Sequence, residues 1–221
     1  MKNSEQMAKY LLEIGAVKLN LKNPFTWTSG IESPVYCNNR ETLGYPEIVS
    51  FIKDSFCEIL KENQFGRVEA IASVATAGIP HGSILANHLN LPSCYVRPEP
   101  KKHGLKNQIE GPIPIGKRVV VVEDLISTSK SSTSVIEVLQ DAGCEVIGLI
   151  AIFTYGFKFN LEKILRIKNI SFRTITNFET LCRIAMESNF LNKEEFIEAF
   201  EFAKDPMNWR NNAKLLETKN S

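Results

Sequence analysis

The stretch from residue 118 to 133, R-V-V-V-V-E-D-L-I-S-T-S-K-S-S-T, constrains this chain more than any other. Its four successive valines, residues 119–122, form a β-branched run without polar alternation. That pattern predicts a strand buried on both faces, hence a parallel sheet covered by helices on either side. Glu123 and Asp124 follow where the strand is expected to end. Small hydroxyl residues then open into Val135, Ile136, Val138 and Leu139 at helical spacing. In open α/β sheets, ligands bind beyond the carboxyl ends of the strands. A helix start there offers unpaired N–H groups and a partial positive charge to an anion.

The rest of the chain repeats this alternation. Helices are expected over 4–19 (with Ser4 as N-cap), 46–63, 80–89, 160–168, 178–187 and 193–203. Buried strands are expected over 68–74, 93–97, 145–155 and 170–176. Residues 25–30 and 33–37 read as two short strands joined by a turn at Gly30, a small lobe over the core. Residues 98–116 break character: Pro98, Pro100, Pro112 and Pro114, three glycines, and Lys101, Lys102, His103 and Lys106 leave little to bury. A long mobile loop is expected there, and such loops are usually functional. The polar tail after Trp209 is expected to fray.

With 221 residues, 43% of them hydrophobic, the chain suffices for one α/β core with a small appended lobe. Twenty-six basic and 25 acidic residues leave a net charge of +1, so nothing draws the chain as a whole to nucleic acid or an anionic membrane. No apolar run approaches the roughly 20 residues of a membrane span, and the first six residues lack a signal-peptide core. Cys37, Cys57, Cys94, Cys144 and Cys182 are odd in number and contain no C-x-x-C pair. Reduced thiols in a cytoplasmic protein are expected, and a zinc site is not.

For Glu123 and Asp124 the plain alternatives are a solvated pair or a helix-capping box. Their place between a buried strand and an anion-ready helix favours chemistry. Adjacent carboxylates accept hydrogen bonds from vicinal hydroxyls and stabilise positive charge developing on a sugar ring. The hydroxyl run from Ser127 through Thr128, Ser129, Lys130 and Ser131 suits an anion cradle. A nucleotide P-loop fails on spacing, because Asp124 and Ser129 stand where its glycines belong, and a dinucleotide fingerprint fails likewise. His81 and His88 read as helix-surface residues rather than a metal pair. Trp27, Trp209 and the 13 phenylalanines read as packing.

The central motif resembles the phosphoribosyl-pyrophosphate (PRPP) motif of the type I phosphoribosyltransferases. Four further stretches narrow the resemblance to the orotate phosphoribosyltransferase family: F-T-W-T-S-G-I-E-S-P-V-Y-C-N-N-R (25–40), A-S-V-A-T-A-G-I-P-H-G (72–82), Y-V-R-P-E-P-K-K-H-G-L-K-N-Q-I-E-G (95–111) and I-F-T-Y-G-F (152–157). The resemblance implies an α/β protein of the type I phosphoribosyltransferase fold: a central, mostly parallel sheet flanked by helices. Residues 1–221 would form one domain, with a small N-terminal hood from about 1–40 and part of the C-terminus, and 98–116 as a mobile catalytic loop.

It also implies roles. Glu123 and Asp124 would hold the ribose hydroxyls, and Leu125 and Ile126, which follow them, would also be among the PRPP-binding residues. Ser127, Thr128, Ser129, Lys130 and Ser131 would wrap the 5′-phosphate. Arg97, Lys101, Lys102 and His103 would engage pyrophosphate, with Lys101, His103 and Asp124 catalytic. The backbone N–H groups of Ala75, Thr76, Ala77 and Gly78 would lie against pyrophosphate. Tyr36, Cys37 and Ser127 would meet orotate. Mg²⁺ would be held mainly through PRPP, with no direct protein ligand. The implied partners are PRPP, orotate and a second copy of the chain, whose loop would act in trans.

Three positions depart from the family pattern. Ser129 replaces a glycine; if φ is positive there, serine is strained and Ser129→Gly is expected to tighten PRPP binding. Thr28 and Ala77 stand where some members carry lysines, and an arginine of those members is missing from 154–157. The implied reaction joins orotate to PRPP, giving orotidine 5′-monophosphate and pyrophosphate in pyrimidine synthesis. A purine phosphoribosyltransferase and a non-catalytic PRPP-sensing regulator are the alternatives.

Overall fold

A computed structural model describes residues 2–27, 30–99, 108–157, 162, 164, 167 and 170–209. In chain order these form α1 (Asn3–Glu13), β1 (Val17–Leu19), β2 (Phe25–Thr26), β3 (Glu32–Ser33), β4 (Val35–Cys37), a 3-10 helix (Asn39–Gly44), α2 (Pro46–Leu60) and β5 (Ala70–Val74). There follow α3 (Gly78–Leu89), β6 (Ser93–Val96), β7 (Ile109–Glu110), β8 (Arg118–Ile126), α4 (Lys130–Asp141), β9 (Glu145–Thr154), β10 (Ser171–Asn177), α5 (Phe178–Glu187) and α6 (Lys193–Lys204).

Six strands make the main sheet in the order β10-β9-β8-β5-β6-β7, all parallel except the edge pair β6–β7. The valine run explains its two layers. Val120 and Val122 join one core with Leu11 of α1, Ile52 of α2 and Leu181 of α5. Val119 and Val121 join the other, with Val135, Ile136 and Leu139 of α4. Period-two alternation thus sends successive valines to opposite cores, and both are apolar, which is why the sequence shows no polar alternation.

The strand does not end at the acids. β8 stays paired with β9 as far as Ile126 opposite Thr154, whereas its pairing with β5 stops at Ser73 opposite Val122. Glu123 and Asp124 therefore lie within the strand, on a stretch open along one side. The strand order also reverses here, because β5 leads outward to β6 while β8 leads the other way to β9. That is the crevice in which open sheets bind ligands. Gly78 sets its width: a Cβ there would lie 2.6 Å from the carbonyl oxygen of Val122, so only glycine lets α3 start this close to β8.

Other boundaries shift for local reasons. Gly15, at φ +68°, ends the first helix. Val17 consequently pairs with Cys37 in an antiparallel β1–β4 sheet instead of continuing the helix, and Lys2 rather than Ser4 is the N-cap. Gly30 does turn a hairpin, β2–β3, but the backbone breaks at Pro34 and residues 35–37 form a separate strand. Inside the expected loop 98–116, β7 pairs antiparallel with β6; a two-residue edge strand carries no periodicity to read. The N-terminal strands are roofed from the C-terminus. The buried Trp209 donates its indole N–H to the Glu32 carbonyl at 2.8 Å, and Phe202 sits edge-on to Trp27 at 6.0 Å. The expected helix 160–168, the tail after Trp209 and residues 100–107 of the loop lie largely or wholly outside the described residues. Among the described residues no helix is long and apolar enough to cross a membrane.

Candidate active site

A cavity of about 260 Å³ opens at the crevice. Glu123, Asp124 and Leu125 of β8 form one wall. Val74, Ala75, Thr76 and Ala77, where β5 turns into α3, form a second. Tyr36, Cys37, Asn38 and Arg40 close it from the N-terminal lobe, and Ser131 of α4 completes it. A larger cavity of about 470 Å³ lies between β10 and α6, lined by Arg173, Phe178, Phe200 and Lys204 among others. It contains neither the acids nor the hydroxyl loop.

The two acids differ. Glu123 is 6% exposed, while Asp124 is half-buried. Burial pushes the Glu123 carboxyl well above the usual carboxylate range, and the neighbouring Asp124 carboxyl adds to this. The Asp124 N–H, donating to Glu123 Oε1 at 3.0 Å, and the Arg40 charge both oppose it. A buried acid held beside a more exposed one matches a site in which one carboxyl is fixed by the protein and the other faces the ligand.

Asn39 fastens the lobe to this wall. It is 1% exposed, its Nδ2 donates to the Asp124 carbonyl at 2.7 Å, and its Oδ1 accepts from the Cys37 thiol at 3.2 Å. Burial raises the Cys37 pKa, and the Asp124 charge raises it further, so this thiol stays protonated and serves as a donor. The sequence contained Asn39 and Arg40 within the motif 25–40, but only their position in the fold shows what they touch.

His81 corrects the expectation of a helix-surface residue. α3 starts at Gly78, so Gly78, His81, Gly82, Leu85 and Ala86 share its buried face. His81 is 3% exposed, and burial lowers its pKa while the Asp124 charge pulls it up. His88 is exposed, as expected. Cys37, Cys94, Cys144 and Cys182 are buried free thiols, and Cys57 is partly exposed.

The hydroxyl loop follows β8 directly. Ile126 packs into the core, and its carbonyl accepts from Thr154 Oγ1 and the Tyr155 N–H. Ser127 and Thr128 are half-buried, and Lys130 and Ser131 are exposed. Ser129 is buried with φ +62°, the left-handed conformation. Its carbonyl accepts from the N–H and Oγ1 of Thr133, both at 2.9 Å, which fastens the start of α4; of residues 127–131 only Ser131 lines the cavity. On the opposite wall a cis peptide joins Ala75 to Thr76. The Ala75 N–H goes to the Val96 carbonyl at 3.0 Å, so donors offered by this turn begin at Thr76.

Arg97 stands apart from the cavity, its guanidinium 3.5 Å from Glu110 across the β6–β7 pair. Lys101, Lys102, His103 and Thr28 lie outside the described residues. As for a metal, Glu123 and Asp124 are the only carboxylates among the described residues lining the cavity. A two-carboxylate donor set fits a hard divalent cation that draws its remaining oxygen ligands from a substrate and water.

Residues 46–179 match the phosphoribosyl transferase domain. The chain is 47% identical over 209 residues to the orotate phosphoribosyltransferase of Listeria innocua, covering 95% of this chain and 99% of that one. Among solved structures, the orotate phosphoribosyltransferase of Aeropyrum pernix superposes with a TM-score of 0.69 at 32% identity, over 84% of this chain and 99% of that one. The UMP synthase of Leishmania donovani superposes with a TM-score of 0.75 at 26% identity, over 90% of this chain but only 42% of that longer one.

Proposed function

Because the chain belongs to the phosphoribosyl transferase family, and within it to the orotate phosphoribosyltransferases, we propose that it transfers the 5-phosphoribosyl group of PRPP to orotate. The products are orotidine 5′-monophosphate and pyrophosphate. The observation that carries this reading is the convergence on one cavity of Glu123 and Asp124, the 74–77 turn, Ser131 of α4, and Tyr36 and Cys37.

Asp124, half-exposed, accepts from a ribose hydroxyl and faces the charge that builds at C1 as the pyrophosphate bond loosens. Glu123, fixed by the Asp124 N–H, takes the other hydroxyl. The N–H groups and hydroxyls of residues 127–131 hold the 5′-phosphate, and those from Thr76 onward meet pyrophosphate. Mg²⁺, held mainly through PRPP, would supply charge neutralisation of the leaving group. Tyr36 and Cys37 cover the orotate ring, so that N1 attacks from the face opposite pyrophosphate and no protein nucleophile is needed. Lys101 and His103, together with Lys102 and an Arg97 that leaves Glu110, bring positive charge to the departing pyrophosphate and exclude water as their loop closes.

We further place the enzyme in the cytoplasm as a homodimer of single-domain chains, with the 98–116 loop of one subunit serving its partner. The test is nucleotide formation from PRPP with orotate, adenine, guanine or hypoxanthine, with and without Mg²⁺. Turnover confined to orotate and dependent on Mg²⁺ supports the proposal; turnover of a purine base, or none, overturns it. Mixing Lys101→Ala with Asp124→Asn subunits should restore part of the activity. No recovery after proven subunit exchange rules out a loop acting in trans.

A further inference from the structure

We infer that Arg40 is a substrate-binding residue: its guanidinium, projecting from the N-terminal lobe into the cavity, takes a pair of anionic oxygens of carboxylate or phosphate type. This rests on the functional reading above, which supplies two such groups, the orotate carboxylate and the pyrophosphate of PRPP.

Three observations converge. First, among the described residues Arg40 is the sole cation lining the cavity that Glu123 and Asp124 also line. Two anionic substrates entering beside two carboxylates need a compensating charge. Second, the Arg40 guanidinium is exposed and forms no hydrogen bond or ion pair among the described residues. It acts on Glu123 through charge alone. Its five donors are thus uncommitted, in a planar fork that matches carboxylate or phosphate oxygens.

Third, the backbone that carries it is braced. The preceding Asn39 is tied to Asp124 and Cys37, its carbonyl accepts from Thr42 Oγ1 at 2.6 Å, and Asn38 Nδ2 donates to Glu41 at 2.9 Å. A surface arginine with no task needs no such support. Bracing of this kind lowers the entropy lost when the side chain engages a ligand.

The test compares the full-length wild type with Arg40→Ala and Arg40→Lys. KM for orotate is measured at saturating PRPP, and KM for PRPP at saturating orotate. Losing a charge-assisted hydrogen-bond pair should raise one KM by roughly ten- to a hundredfold in the alanine variant. Lysine should recover only part, because it keeps the charge but not the fork. A rise confined to orotate identifies the carboxylate as the bound group, and a rise confined to PRPP identifies the pyrophosphate. The melting temperature should stay near wild type, because the side chain is exposed. Both KM values within twofold of wild type overturn the inference; so does a rise in both accompanied by a lowered melting temperature. Calorimetric titration of orotate and of pyrophosphate into wild type and Arg40→Ala gives the same answer without turnover. Failure of the assigned reaction therefore remains distinguishable from failure of the Arg40 assignment.

Discussion

Replacing Ser129 with glycine should make the protein more stable. Ser129 sits at the N-cap of α4 with φ +62° and ψ −2°. A residue with a Cβ gives up about 1–2 kcal/mol in this left-handed conformation. Glycine avoids that but loses about 0.4–1 kcal/mol more chain entropy on folding. The bonds from Thr133 go to the Ser129 backbone carbonyl and survive the change. The balance favours glycine by about 0.5–1 kcal/mol, which is about 1–4 °C in melting temperature for a chain of this size. Differential scanning calorimetry reads it. Asn90, at φ +54° on the C-cap of α3, is an internal control: asparagine tolerates this region better, so Asn90→Gly should gain less. A Ser129→Gly melting temperature equal to or below wild type would refute the strain argument. The tighter PRPP binding expected from the sequence is a separate readout, because it requires the loop to alter this φ on binding. A stability gain with unchanged KM for PRPP identifies a loop that keeps one conformation throughout.

Glu123→Gln tests the buried acid. Its folded-state pKa is raised, so ionisation subtracts stability as pH climbs above the unfolded value of 4.5 toward the folded one. The glutamine variant should therefore melt close to wild type near pH 4.5 and above it at pH 8. A pH-independent difference would remove burial as the cause. Nucleotide formation should meanwhile fall on the order of a hundredfold. Asn39→Ala leaves the Asp124 carbonyl and the Cys37 thiol unpartnered in a buried place, costing about 1–3 kcal/mol. In urea melts the midpoint should fall accordingly, and an unchanged midpoint would show that the lobe is held by other contacts. Asn39→Asp should impair turnover more than Asn39→Ala, because it sets a third carboxyl beside the acid pair; equal turnover would argue against that electrostatic account.

What the sequence revealed and what it hid divide along one physical line. Residues 119–122 were readable because burial on both faces is a local demand that four β-branched side chains answer by themselves. The type and order of the central elements followed from the same periodicity, and the acids and hydroxyl loop were legible because they lie consecutively. The end of β8 was not, because it is set by β9, whose pairing carries the strand past Asp124 while β5 has already turned away. His81 was misread because a helix face is fixed by where the helix begins, and the start at Gly78 depends on a close approach to Val122 that only the packed sheet reveals. Asn39 and Arg40 stayed silent for a similar reason: nothing in N-N-R distinguishes a turn from a clasp until Asp124, 85 residues away, comes within 2.7 Å. Residues consecutive on one strand announce a site, whereas residues joined only by folding complete it. The completing group here is the lobe, so variation in substrate handling among such chains should concentrate in residues 36–40 rather than in the acid pair they cover.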